Sequence, residues 1–272
     1  MLADRTHEAL EDVEFLSRSE HRITTLDVVA RRPMTRSGLQ DATGASPSTV
    51  SRTLREFEAR HWVRREGNQY EATELGAFVA SGMRDLLDRL ETERKLRDVW
   101  TWLPTEVDGF SIEMAVDAVV TRAVAGDPYR PINRFVSLLQ ETDRFRFVGP
   151  DLALLEPCRD EFRRRILDGL HAEIIDPPRV ARYVLSTYPE HCTPSLESGN
   201  LTILLHDDLP TYGVSLFDRR IGISCYNPTT GTVQAFIDTD SPDAREWGEA
   251  MYASVREEAW PIADNPTTIE SM

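Results

Sequence analysis

The chain of 272 residues has almost no lysine: Lys95 stands alone among 31 basic residues, and the other 30 are arginine. It also lacks any apolar run of membrane length. The longest apolar pieces, such as 201–205, are strand-sized, whereas a spanning helix needs about 20 apolar residues. The first fourteen residues are acidic and lack the basic-then-apolar layout of a secretory signal, so a cytoplasmic protein is expected. Cysteine is scarce. Cys158, Cys192 and Cys225 are scattered without metal-type spacing and read as free, packed thiols. Phosphate loops of the forms Gly-x-Gly-x-x-Gly and Gly-x-x-x-x-Gly-Lys are missing, as is the Gly-x-Ser-x-Gly elbow of a hydrolase. The expectation is a protein that is not an enzyme and carries no cofactor or metal.

Negative charge, by contrast, is abundant: 46 acidic residues give a net charge of −15 at pH 7. An acidic, lysine-poor composition resembles that of proteins from extreme halophiles. At molar salt the screening length falls to about 3 Å, so a large net charge causes little self-repulsion. The charge is unevenly spread. Residues 1–72 hold 11 Arg against 12 Asp or Glu, while residues 73–272 hold 20 basic against 34 acidic residues. Only the N-terminal part can meet phosphate without strong repulsion.

Apolar residues at spacings of three (Leu10, Val13, Leu16, then Ile23, Leu26, Val29) predict helices over 6–17 and 20–31. Pro33 stops the second. Thr35 can cap a short helix over 36–42 that ends at Gly44. Ser46 then caps a fourth helix reaching about residue 60, with Pro47 in its first turn. Its Val50, Leu54 and Phe57 form an apolar stripe, while Ser48, Arg52, Arg55 and Ala59 lie opposite, flanked by Thr49 and Ser51. Strands over 62–65 and 69–72 about a Gly67-Asn68 turn follow. A helix capped by Thr73 then runs over 74–103, roughly 40 Å at 1.5 Å per residue, and ends at Pro104. Two readings of it stand: a coiled-coil dimer, or an amphipathic helix packed on its own domain.

Beyond it, strands are expected over 118–124, 145–148, 172–175, 201–205, 214–217, 222–226 and 233–238. Helices are expected over 132–142, 157–167, 178–187 and 242–258. Strands alternating with helices, then a closely spaced set, predict a partly parallel sheet continued by an antiparallel meander. The fold class expected is α+β: a winged helix-turn-helix over 1–80, a linker or dimerisation helix over 81–104, an α/β mixed-sheet sensor domain over 105–260, and a flexible tail over 261–272.

The order helix, short helix, turn, helix, hairpin over residues 20–80 resembles winged helix-turn-helix regulators. Asp207-Asp-Leu-Pro-Thr-Tyr-Gly213 with Ser215-Leu-Phe-Asp218, and Ile237-Asp-Thr-Asp-Ser-Pro-Asp-Ala-Arg-Glu-Trp247, resemble the effector domain of haloarchaeal regulators related to the methanogenesis-regulator middle-domain family. That family shows Leu-Pro-Tyr-Gly where this chain has Leu209-Pro-Thr-Tyr-Gly213. The Ala-Arg-Glu-Trp helix is also similar to the C-terminal helix of sugar-responsive TrmB-type regulators, whose sensor is phospholipase-D-like. Phospholipase-D chemistry needs His-x-Lys, and no histidine here is followed two positions later by lysine.

The resemblance implies a regulator; the expectation built on it is a homodimeric, sequence-specific regulator of double-stranded DNA whose C-terminal domain senses a small molecule or a partner. In that reading Arg52 and Arg55 face guanine edges, each pairing worth ~1–3 kcal/mol of discrimination. Ser46, Ser48, Thr49 and Ser51 reach phosphates or bases, Arg64 and Arg65 work from the wing, and Arg36 meets phosphate. Neutralising ~6 phosphates makes the log–log salt slope near −5, so a ~20-fold rise in salt would remove roughly seven decades of affinity. A regulator in molar salt must therefore rely on base contacts and avidity. Tyr129 and Arg130, in Asp127-Pro-Tyr-Arg-Pro131, and Tyr212 are the effector-binding candidates; a proline-fixed turn is the other reading of that segment. Two rivals remain: a redox or metal sensor using His171, His191, Cys192, His206 and Cys225, and a protein-interaction adaptor built on the winged helix.

Overall fold

The computed structural model describes residues 2–103, 109–151 and 153–262. Contacts divide the chain into two units, Met1–Glu91 and Thr92–Met272.

In the first unit, α1 (Leu2–Ser17) and α2 (Glu20–Arg31) are followed by a two-residue strand β1 (Met34–Thr35), then α3 (Arg36–Thr43) and α4 (Pro47–Ala59). Gly44 ends α3 in the left-handed conformation at φ 67°, which only a residue without Cβ adopts at no cost. The hairpin β2 (Val63–Glu66) and β3 (Gln69–Ala72) leads into α5 (Glu74–Arg97). β3 is the middle strand of a three-stranded antiparallel sheet with β1 and β2. Gly76 fixes how α5 leaves the sheet: a Cβ there would lie 1.8 Å from the Trp62 carbonyl oxygen, so the backbones touch where any side chain would intrude. The core joins Leu16, Leu26, Leu39, Leu54, Phe57 and Trp62.

The second unit contains β4 (Val119–Arg122), α6 (Arg130–Gln140), β5 (Arg144–Val148), α7 (Arg159–Leu167), β6 (His171–Asp176), α8 (Pro178–Thr187), α9 (Pro189–Glu197) and β7 (Leu201–Leu205). It continues with β8 (Gly213–Leu216), β9 (Ile221–Tyr226), β10 (Val233–Thr239), α10 (Pro242–Glu258) and β11 (Trp260–Pro261). Among the described residues these strands form one eight-stranded sheet in the order β11-β7-β6-β5-β8-β9-β10-β4. The β5–β6 and β6–β7 pairs are parallel and the others antiparallel. Alternation along the strands feeds two cores. Phe145, Phe147, Ile174 and Ile203 pack with Phe135, Phe162 and Ile166 of α6 and α7. Val148, Ile175, Leu204 and Ile237 pack with Trp247 and Tyr252 of α10.

The α+β class and the mixed sheet are as expected, with differences at several edges. The long helix stops at Arg97 instead of running to 103, giving 24 residues and a length of about 36 Å. Only a 3-10 turn over Trp100–Trp102 follows. The β-branched and aromatic run from Val99 to Trp102 is poor helix-forming sequence, and Leu96, Val99 and Leu103 enter the second unit's core. Pro104 lies outside the described residues. Strand 118–124 shortens to β4, and helix 157–167 opens with a 3-10 turn before α7. Three elements had no expectation: β1, α9 and β11. The last corrects the flexible tail at its start. Pro261 pairs with Leu204, and the Ile262 N–H donates to the Ile203 carbonyl at 3.2 Å. The remainder, 263–272, lies outside the described residues.

Candidate nucleic-acid interface

α4 is built to hide one side and offer the other. Ser46 caps it, its hydroxyl oxygen accepting from the Thr49 N–H at 3.2 Å and so satisfying one of the free donors of the first turn. Val50, Thr53, Leu54 and Phe57 are buried, while Ser48, Arg52, Arg55 and Ala59 are exposed. At 100° per residue those four side chains occupy roughly a 60° arc opposite the buried stripe. The back of the helix is held by aromatic and ionic contacts. Phe57 lies 5.9 Å from Trp62 and 6.0 Å from Phe15 between ring centres. Arg22 pairs with Glu56 at 2.9 Å and Arg60 with Asp12 at 3.0 Å. Both guanidiniums also sit on the Phe15 ring, at 4.0 and 3.7 Å from its centre.

The arginines of this segment sort into two groups. Arg18, Arg22, Arg31, Arg60 and Arg64 each meet a carboxylate. Among the described side chains up to residue 72, Arg32, Arg36, Arg52, Arg55 and Arg65 have no acidic partner within 4 Å. Arg52 projects freely, and Arg55 touches only the Ser51 carbonyl at 3.3 Å. Arg36 of α3 and Arg65 of the hairpin approach the same Tyr70 ring, at 5.5 and 5.8 Å. The hairpin and the start of α3 thus present two uncompensated cations near one another.

Two expected contacts change character. Arg64 is bound to Glu71 at 2.5 Å and lies 3.5 Å from Glu66. Its hydrogen bond to the Glu71 carboxylate, then the two negative charges, raise its already high pKa. It is a neutralised strand-pairing residue rather than a free phosphate contact. Ser46 spends its oxygen on the cap and on the hydroxyls of Ser48 and Thr49, both 2.9 Å away, so it positions the helix end. Thr49 and Ser51 are half-buried. Arg32 was missed by sequence reasoning. Its signal was present: Asp27 stands four residues before Arg31 and pairs with it at 3.0 Å, leaving Arg32 exposed beyond the end of α2.

The effector candidates do not converge. Tyr129 is 58% exposed and Arg130 begins α6 at the surface. Tyr212 is corrected to a core residue: it is buried, stacks 6.5 Å from Trp247, and burial raises its hydroxyl pKa to about 12. The thiol candidates are also packed away. Burial raises Cys158 and Cys225 to about 12 and Cys192 to about 11, far from the thiolate that redox chemistry needs. His191 meets Asp160 at 2.6 Å and Glu190 at 3.1 Å, while Cys192 points to the Val184 carbonyl. The His206 Nδ1 accepts from the Asp208 N–H. Among the described residues no three His, Cys, Asp or Glu side chains are grouped to hold a metal ion, and no helix is long and apolar enough to cross a membrane.

The first unit thus runs helix, short helix, turn, helix and hairpin, with a cation-bearing face on α4. Residues 10–95 match the family model described as the HVO_A0261 N-terminal domain. Residues 128–258 match the model described as the middle domain of the methanogenesis regulatory protein FilR1, a shorter span than the sensor domain over 105–260 expected from sequence. Among solved structures, TrmBL2, described as an archaeal chromatin protein, aligns with 95% of this chain and 99% of its own at 14% identity and a TM-score of 0.42. NucT from Helicobacter pylori aligns with 53% of this chain and 98% of its own at 11% identity and 0.40. The phospholipase D family member Nuc from Salmonella typhimurium does so with 54% and 98% at 10% identity and 0.39. Likeness at these scores transfers no function. No curated protein matches the chain in sequence.

Proposed function

We propose that the chain is a sequence-reading regulator of double-stranded DNA. In this reading α4 enters the major groove with Arg52 and Arg55 at base edges, and Arg32, Arg36 and Arg65 meet flanking phosphates. The observation that carries it is the open face of α4, where Arg52 and Arg55 stand without an acidic partner, opposite the buried stripe of a capped helix. Among the described side chains up to residue 72, Arg32, Arg36 and Arg65 also lack carboxylates, in a stretch whose charges nearly balance, which favours an anionic partner. The family matched by residues 128–258 is described as regulatory, which supports the same assignment, with the second unit as sensor and no catalytic role. Its acidic, lysine-poor composition supports work in concentrated salt inside the cell.

The reading extends to a homodimer through α5. That helix has two apolar sides. Ala80 and Met83 enter the first unit's core, while Leu75, Phe78, Leu86 and Leu90 remain exposed, Phe78 by 81%. A second copy related by a two-fold axis would cover this stripe and place two α4 helices on a palindromic site.

The test is fluorescence anisotropy against genomic duplex fragments at several KCl concentrations. Arg52→Ala and Arg55→Ala should each reduce specific binding by about 10- to 100-fold with unchanged circular dichroism. Arg36→Ala or Arg65→Ala should lower the salt slope by about 0.9 and weaken all duplexes alike. Equal binding by wild type and the Arg52/Arg55 double variant would reject the assignment and favour the protein-adaptor alternative.

A further inference from the structure

Asp176 ends β6 on its carboxyl side, between two parallel neighbours. It is 5% exposed, and its Oδ1 is fully buried without any hydrogen-bond partner. No described residue donates to either carboxyl oxygen. Folded proteins leave few buried polar groups in this state, and each calls for an explanation. The location is the one where α/β sheets place ligands, beyond the carboxyl ends of parallel strands. Asp176 lines a cavity of about 80 Å³ between the β6–β7 surface and helices α7, α8 and α9.

The lining of this cavity defines what it can hold. Phe162, Ile166, Ile174, Leu201 and Ile203 make the walls apolar, so the occupant must have an aliphatic body. The Asp176 oxygens ask for a donor. Arg159 and Arg163 also line it, and their Nε atoms are buried without acceptors. Arg159 is held against the Tyr188 ring at 4.9 Å, and the Tyr188 hydroxyl donates to Glu156 at 2.5 Å. Two guanidiniums in the lining disfavour a cation, and the Asp176 carboxyl disfavours an anion. A neutral hydroxyl satisfies both constraints. Size narrows the class further: benzene occupies an engineered cavity of about 150 Å³, and this one is smaller.

We propose that this cavity binds a small neutral aliphatic alcohol whose hydroxyl donates to Asp176 and whose carbon skeleton lies on Phe162, Ile166, Ile174 and Ile203. The proposal deepens the reading of the second unit as a sensor. Its test needs no DNA, so it can fail while the DNA reading stands, and the reverse.

Ile166, Ile174 and Ile203 provide methyl reporters inside the cavity. Full-length protein labelled at isoleucine δ-methyls is titrated with ethanol, ethylammonium and acetate, three probes of one two-carbon size. Ethanol should shift these three methyls saturably, and the charged analogues should bind at least about tenfold more weakly. Asp176→Asn keeps an acceptor and should stay within about threefold of wild type; Asp176→Leu should lose about tenfold or more. The proposal is overturned by linear, unsaturable shifts with ethanol, by a charged analogue binding as tightly, or by equal affinity in folded Asp176→Leu. Loss of binding in Asp176→Asn as large as in Asp176→Leu overturns it as well, because the acceptor would then not be what the ligand recognises.

Discussion

Replacing Asp176 by Asn should stabilise the protein in a manner that depends on pH. Burial, reinforced by the negative charge of Asp151 and opposed by Arg179, raises the Asp176 pKa from 3.8 to about 7. Between these values the folded chain keeps a proton that the unfolded chain has lost, so wild-type stability falls as pH rises through the window. A shift of this size corresponds to about 4 kcal/mol once pH exceeds 7, from 1.36 kcal/mol per unit. Roughly 1.7 kcal/mol of that loss is already present at pH 5, which leaves about 2.5 kcal/mol to appear between pH 5 and pH 8. Asn carries no titrating proton. The difference in unfolding free energy, variant minus wild type, should therefore grow by about that amount over the interval. The remaining carboxylates titrate alike in both proteins and cancel. Urea unfolding at pH 5, 6, 7 and 8 in one fixed salt measures it. A difference that stays flat within about 0.5 kcal/mol would show that Asp176 titrates normally in the folded chain, and the desolvation reasoning would be wrong.

Three further outcomes follow from the packing. Ser46→Ala removes the oxygen that caps α4 and should cost about 1 kcal/mol in the unfolding of the first unit; calorimetry showing no change would mean another group replaces the cap. Asp238 is wholly buried between Arg134, at 2.7 and 2.8 Å, and Arg220, at 2.6 Å. Asp238→Ala strands two guanidiniums and should cost about 3–5 kcal/mol, read as a lower urea midpoint; a loss under 1 kcal/mol would contradict the pairing. With all three thiols buried, Ellman's reagent should label none quickly in the native state and all three in denaturant, whereas one fast native thiol would revive the redox rival.

Local chemistry made the first unit readable. The Ser46-Pro47 start, the apolar stripe at Val50, Leu54 and Phe57 and the turn at Gly44 are short-range signals, and α3 and α4 stand within a residue or so of expectation. The central strands were equally visible, because short runs rich in branched and aromatic residues, such as Phe145-Arg-Phe-Val148 and Leu201-Thr-Ile-Leu-Leu205, read as strands. α9 was not legible. Pro189 suits its first turn, but Pro194 stands inside it and argues against a helix on propensity alone. Burial of Cys192 and Ser195 decides the matter. Pro261 read as tail, and Trp260 as the last residue before it, because their strand exists only through pairing with β7. The interface was half legible. Sequence placed Arg52 and Arg55 on the open side of α4, yet which cations are spoken for depends on pairs far apart in the chain, such as Arg22 with Glu56 and Arg60 with Asp12. Asp176 looked like a strand end followed by prolines. Its lack of partners is a property of the folded surroundings, which a linear pattern does not encode.

The Phe15 ring, gripped by Arg22 and Arg60 with Glu56 and Asp12 behind them, fastens α1, α2 and α4 into one block. Contacts of this kind act at touching distance and are partly sheltered from water, so dissolved ions weaken them little. Bonds to phosphates behave oppositely and fade steeply as salt rises. On the proposed DNA reading, a rise in KCl would change how tightly the block grips a duplex while leaving the shape it presents unaltered, which would make ionic strength a control on occupancy alone.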